Sequence, residues 1–148
     1  MMRPLSWLVI IILAGCADRY DGNESEALLV KVNETGQLQW AKTYGNHGTE
    51  VAFMPEETSD SGFVIAGYSG SFSQYYNDGY LIKTDASGDI QWSKVYGGSN
   101  EEKMDCILQD TLNSYVFCGY TSSFDVQGPA IYVVKTDSVG NTGDDDRY

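Results

Sequence analysis

Few side chains in this sequence could do chemistry, and their types and spacing limit what that chemistry would be. His47 is the single histidine and lies in Asn46-His47-Gly48-Thr49-Glu50. Acid–base work needs a nucleophile or a substrate proton within hydrogen-bond reach, and none is indicated, so His47 reads as a surface-loop side chain. Asp78, Asp85, Asp89, Asp105, Glu101 and Glu102 are carboxylates that hydrolysis could recruit. Glycoside cleavage requires two carboxyl groups at a controlled separation across a sugar. The spacing singles out no such pair, so no catalytic residue is assigned and the chain is not expected to be an enzyme. Cys106 and Cys118 flank Asp110-Thr111-Leu112-Asn113 on facing candidate strands. Their counterparts in an internal repeat are the apolar Met54 and Ala66, which favours buried unpaired thiols. A disulfide stays open, because a register slip of one residue decides whether the two side chains share a face. Lys31, Lys83 and Lys135 recur 52 residues apart. They are candidates for holding a glycan or an anion, with ion pairing or solvation as the alternative.

Charge removes one class of partner. Of 148 residues, 21 are Asp or Glu and 9 are Lys or Arg, a formal net charge of -12. A phosphate backbone would meet repulsion, so nucleic acid is excluded. One histidine and three dispersed cysteines do not make a zinc or iron–sulfur framework. No metal and no cofactor is expected.

The amino terminus stands apart. Arg3 precedes an apolar run over 5–14, interrupted only by Ser6. That run is shorter than the roughly 20 residues of a membrane-spanning helix and fits the apolar region of an export signal. It ends in Leu13-Ala14-Gly15-Cys16, which resembles the lipobox of bacterial lipoproteins. The resemblance implies a diacylglycerol thioether on Cys16, cleavage just before it and acylation of the new terminus with palmitate-type chains. Residues 1–15 would then be a lipoprotein signal peptide, and 16–26 a polar tether to membrane lipid. The expected place is the bacterial cell envelope, outside the cytoplasm, with the leaflet and the choice of inner or outer membrane left open.

Beyond the tether the chain repeats itself. Lys31-x4-Gly36-x3-Trp40-x-Lys42-x-Tyr44-Gly45 returns 52 residues later as Lys83-x4-Gly88-x3-Trp92-x-Lys94-x-Tyr96-Gly97, and Lys135-Thr136-Asp137 with Gly140 starts a third copy. β-Branched and aromatic residues between Asp, Asn, Ser and Gly clusters predict strands near 28–33, 37–44, 50–57, 62–69, 80–85, 89–96, 102–109, 114–121 and 130–136. Asn33-Glu34-Thr35-Gly36, Asp85-Ala86-Ser87-Gly88 and Asp137-Ser138-Val139-Gly140 each open on an acceptor side chain and close on a glycine. That pattern predicts a type I turn with a left-handed glycine and a bulge, joining antiparallel strands. It lacks the alternating oxygen ligands of a calcium loop.

A period near 50 residues with four strands per unit favours a β-propeller over a helical solenoid. Tyr80-Leu81-Ile82-Lys83-Thr84-Asp85, followed by Gly88, Trp92, Lys94, Tyr96, Gly97 and Gly98, also resembles a family of bacterial and archaeal secreted or lipid-anchored proteins built from YLIKTDxxGxxxWxKxYGG-like units. More distantly it is similar to quinoprotein-type propeller repeats, in which a recurring tryptophan docks one blade on the next. By that likeness Trp40 and Trp92 are structural contacts between repeats.

The expected fold is all-β: a partial β-propeller-like array of four-stranded antiparallel units over 27–141, followed by an acidic tail over 142–148. About nine strands fall short of the roughly 16 in even a four-bladed propeller, so open ends should favour self-association or capping. The expected role is a membrane-anchored extracytoplasmic scaffold, or a module binding a protein or glycan. The alternatives are a truncated piece of a longer propeller protein and, further off, a hydrolase or quinoprotein-like enzyme.

Overall fold

The computed structural model describes residues 25–72, 76–124 and 127–143. The described chain is all-β. Its nine strands are β1 (Ala27–Val32), β2 (Leu38–Tyr44), β3 (Glu50–Glu57), β4 (Phe63–Ser69), β5 (Asp78–Thr84), β6 (Ile90–Tyr96), β7 (Glu102–Gln109), β8 (Tyr115–Thr121) and β9 (Ala130–Thr136). They form three antiparallel sheets, β1-β2, β3-β4-β5-β6 and β7-β8-β9, each in chain order. The expected partial, propeller-like array of two, four and three strands is therefore the one present.

Most strand ends fall within a residue of the sequence expectation. The exception is β5, which starts at Asp78 rather than Tyr80. Asn77-Asp78-Gly79 reads as a turn, yet Gly79 pairs with both Tyr68 and Tyr96. A residue without a side chain fits there because Met104 of the next sheet packs over it.

The tight β1–β2, β3–β4, β5–β6 and β7–β8 hairpins and the turn after β9 close the same way. Each places one residue at positive φ: Gly36, Ser61, Gly88, Asn113 and Gly140. In the β1–β2 and β5–β6 hairpins the register slips beside the turn, at Lys31/Val32 and Lys83/Thr84, the bulge that such a turn requires. The opening side chain organises the loop: Asp85 Oδ1 accepts from Ser87 N at 2.8 Å and Asp89 N at 2.9 Å. Asn33 and Asp137 do the same in their copies.

The sheets stack face to face with two cores between them. Leu29 and Tyr44 of the first sheet meet Phe63, Ile65, Tyr80 and Ile82 of the middle one. Val64, Leu81 and Tyr96 on its other side meet Met104, Ile107, Phe117 and Val134 of the third. Period-2 alternation explains this, since consecutive residues of β4 point to opposite cores. The middle sheet is thus buried on both faces, and each fully buried large apolar side chain contributes about 1.5–3 kcal/mol. The outer edge of β9 has no partner strand among the described residues.

Candidate functional site

The recurring motif is built into the junctions between sheets. Trp40 of β2 meets Phe63 of the middle sheet edge-on, with centroids 5.7 Å apart. Trp92 of β6 repeats this geometry on Tyr115 at 5.7 Å. Each indole also lies over a turn glycine of the next sheet. A Cβ on Gly88 would sit 2.9 Å from Trp40, and one on Gly140 3.0 Å from Trp92. Two residues on, Lys42 Nζ donates to Asp89 Oδ1 at 2.5 Å, and Lys94 Nζ donates to Asn141 Oδ1. Two further, Tyr44 Oη donates to the Gly88 carbonyl and Tyr96 Oη to that of Gly140, both at 2.8 Å. Alternate residues of a strand share a face, so Trp-x-Lys-x-Tyr presents three side chains to one turn. Burial, with Asp89 and Asp85 nearby, pushes the Tyr44 phenol up to about 12, and burial beside Asp137 raises that of Tyr96 as well. Both phenols therefore stay protonated and able to donate.

At the opposite end of each junction lies a buried glutamate. Glu50 accepts from Ser69 Oγ at 2.7 Å and from Asn46 N at 3.0 Å. Glu102, with no exposed surface, accepts from Thr121 Oγ1 at 2.5 Å and Gly98 N at 2.8 Å. These carboxylates hold the strand-to-strand connections in place, because a buried charge must be hydrogen-bonded. Asp78 lies beside Glu102, and a Cβ on Gly97 would overlap an oxygen of each. Burial and the charge of Glu102 raise the Asp78 carboxyl above its ordinary range.

The lysines are not gathered into one site, since they lie on β1, β5 and β9 of three different sheets. Lys31 stacks its ammonium over the Phe63 ring at 5.2 Å from the centroid. Lys135 is exposed, 3.8 Å from Asp110. Lys83 is buried, with 3% of its surface exposed. Its Nζ donates to Asp60 Oδ2 at 2.9 Å and Oδ1 at 3.1 Å, to the Thr84 carbonyl at 2.7 Å and to Gln91 Oε1 at 3.0 Å. Burial alone would raise the Asp60 carboxyl, but hydrogen bonds from Thr58, Lys83 and Gly62 and the Lys83 charge bring it down to about 2.

Around this ion pair, between the middle and third sheets, opens a cleft of about 300 Å³ lined by Asp60, Lys83, Gln91, Trp92, Gln109 and Asn113. Sequence reasoning missed Asp60, Gln109 and Asn113 because none belongs to the repeated set: their counterparts are Leu112, Glu57 and Ser61. The cleft shows only in the turn of one sheet facing the hairpin of the next.

The two cysteines require a correction. Cys106 and Cys118 form a disulfide, with Cα atoms 5.4 Å apart, rather than the unpaired thiols favoured by their apolar counterparts. The reason is a register shift between Met104 and Cys106, after which Cys106 stands directly opposite Cys118. The same shift aligns Met54 with Ala66 in the middle sheet.

The remaining candidates separate. Asp85 caps its own turn, Asp89 pairs with Lys42, and Glu101 pairs with Lys103 at 3.1 Å. Lys103 lies over the rings of Tyr68 and Tyr120, at 4.8 and 5.8 Å. Its interactions with Glu101 hold the acid below its usual range. Asp105 and His47 are exposed. Among the described residues, no group of three or more His, Cys, Asp or Glu side chains is placed to hold a metal ion. Cys16 and the acidic run Asp144-Asp145-Asp146 lie outside the described residues. No family model and no curated protein matches the chain.

Proposed function

We propose that this protein is a lipid-anchored recognition module of the bacterial cell envelope, held by acyl chains on Cys16, with its propeller-like sheets outside the cytoplasm. The observation that carries the recognition part is the contrast between the two kinds of residue at the sheet junctions. Every repeated chemical group, from Trp92, Lys94 and Tyr96 to Glu102, is bound to another part of the chain. The cleft beside them adds polar groups that the repeat does not dictate, Asp60, Gln109 and Asn113. A rigid scaffold carrying a variable polar cleft suits binding, since sites on packed strands are held in place by their neighbours. The anchor rests on the order of Arg3, apolar run and Leu13-Ala14-Gly15-Cys16, and several acyl chains hold a protein far more firmly than one.

Intact-mass measurement of the membrane-extracted protein tests this reading. The expected mass is that of 16–148 plus a diacylglycerol thioether and an N-acyl group, and Cys16→Ser should abolish both. An unmodified chain retaining Met1 in the cytoplasm would overturn it.

A further inference from the structure

We infer that the cleft between the middle and third sheets binds a neutral polyhydroxylated ligand, a sugar or short glycan, through Asp60, Gln91 and Asn113 with Trp92 as its apolar wall. This deepens the recognition reading and rests on it. Charge restricts the ligand class. Asp60 and Lys83 are the two charged residues in the described lining, and they neutralise each other at 2.9 Å. An anion would need the Lys83 ammonium, whose three protons already face four acceptor oxygens. An ammonium ligand would have to compete for Asp60 with that same lysine. A ligand without charge has neither obstacle.

Gln91 accepts from Lys83 through Oε1 at 3.0 Å, and Asn113 accepts from Ser59 Oγ through Oδ1 at 2.8 Å. With both amide oxygens engaged, both amides offer their N–H groups as donors. Asp60 faces the other way. Its Oδ1 takes Thr58 Oγ1, Gly62 N and Lys83, whereas Oδ2 takes Lys83 alone and keeps acceptor capacity. The carboxylate stays ionised, held down to about 2 by those bonds. Two donors and one acceptor fixed by other residues suit hydroxyl groups, each of which both donates and accepts.

Shape supplies the rest. The half-buried indole of Trp92, held edge-on to Tyr115, supplies an apolar surface in the lining. The C–H face of a sugar ring can rest on such a surface while its hydroxyls reach the polar groups. About 300 Å³ is at the small end of ligand pockets, the size for one or two rings. Asn113 sits at φ 62°, a conformation that asparagine tolerates and most side chains do not. Its amide therefore projects from a fixed turn.

The test is calorimetric titration of the full-length lipoprotein in a detergent without a sugar headgroup. The probes are neutral tetrasaccharides of glucose, galactose, mannose and N-acetylglucosamine, with inorganic phosphate as the anionic control. At least one neutral sugar should bind and phosphate should not. Asn113→Gly keeps the turn conformation and removes the amide, and Gln91→Ala removes the second donor. Each should weaken sugar binding at least tenfold with little change in the thermal midpoint. Binding of phosphate, no sugar binding, or sugar binding that both variants leave unchanged would overturn the proposal. Intact mass decides the anchor independently, so failed sugar binding with the acyl mass present rejects this recognition site and leaves the lipid anchor standing.

Discussion

Replacing glycine by alanine at three equivalent turns separates the cost of a backbone conformation from the cost of disturbing a sheet junction. Gly36, Gly88 and Gly140 share φ near +80°, at 80°, 80° and 78°. A Cβ at Gly36 would meet nothing within 4 Å, whereas at Gly88 it would stand 2.9 Å from Trp40 and 3.1 Å from Lys42 Cδ. At Gly140 it would stand 3.0 Å from Trp92 and 2.9 Å from the Tyr96 hydroxyl. Left-handed backbone costs an L-residue roughly 1–2 kcal/mol, so Gly36→Ala should lose about that much. Gly88→Ala and Gly140→Ala should lose the same plus about 1–3 kcal/mol for overpacking, because the indole must shift off its neighbour. Urea denaturation followed by tryptophan fluorescence measures all three, and the change in midpoint at constant slope reports stability. Equal losses at the three sites would refute the claim that Trp40 and Trp92 lock each sheet onto the next turn.

Asp78→Asn should stabilise the protein at neutral pH. Burial and Glu102 raise the folded carboxyl above its unfolded value. The folded state thus binds the proton more tightly, and its stability falls as pH rises from the unfolded value through the raised one. The wild type should show that decline in pH-dependent denaturation and the variant should not; parallel curves would reject it. Asp60 works in the opposite sense. Its carboxyl is lowered from 3.8 to about 2, so stability present at neutral pH should drain away as pH falls through that window, and Asp60→Asn should flatten the acid limb. Alkylation before reduction should leave Cys106 and Cys118 unlabelled in mass spectra, and alkylation after it should label both. Breaking their bond should cost at most about 3 kcal/mol, since it closes a short loop already held by strand pairing.

What was legible in the sequence was what local physics decides alone. Alternating apolar residues placed the strands, and an acceptor side chain three positions before a glycine placed three of the turns. Ser61 and Asn113 adopt the same left-handed conformation without glycine, so their hairpins carried a weaker signal. The glycine is needed where an indole covers the turn, as at Gly88 and Gly140, and that requirement comes from the next sheet. The disulfide was hidden because it depends on a one-residue register shift inside β7. The burial of Glu102 and Lys83 was hidden for a similar reason. Acidic and basic residues read as solvent-facing until their partners are known, and Thr121 and Asp60 lie 19 and 23 positions from Glu102 and Lys83, with Gly98 in the connection before β7.

Repetition itself therefore sorts structure from function in this chain. A residue that recurs every 52 positions must satisfy a demand that recurs, and the recurring demand is the junction between one sheet and the next. Trp, Lys and Tyr on the outer strand, the turn glycine that receives them, and the buried glutamate at the far end all meet it. Even Lys83, which recurs as Lys31 and Lys135, acquires its carboxylate from Asp60, which has leucine at its counterpart 112. Ligand recognition makes no demand that repeats, so the residues that set its specificity should break the pattern, within a frame to which Gln91 and Trp92, counterparts of Gln39 and Trp40, belong. Asp60, Gln109 and Asn113 break it, and all three line one cleft. A recognition site built this way can change its ligand by substitution at those positions while the lock between the sheets stays intact.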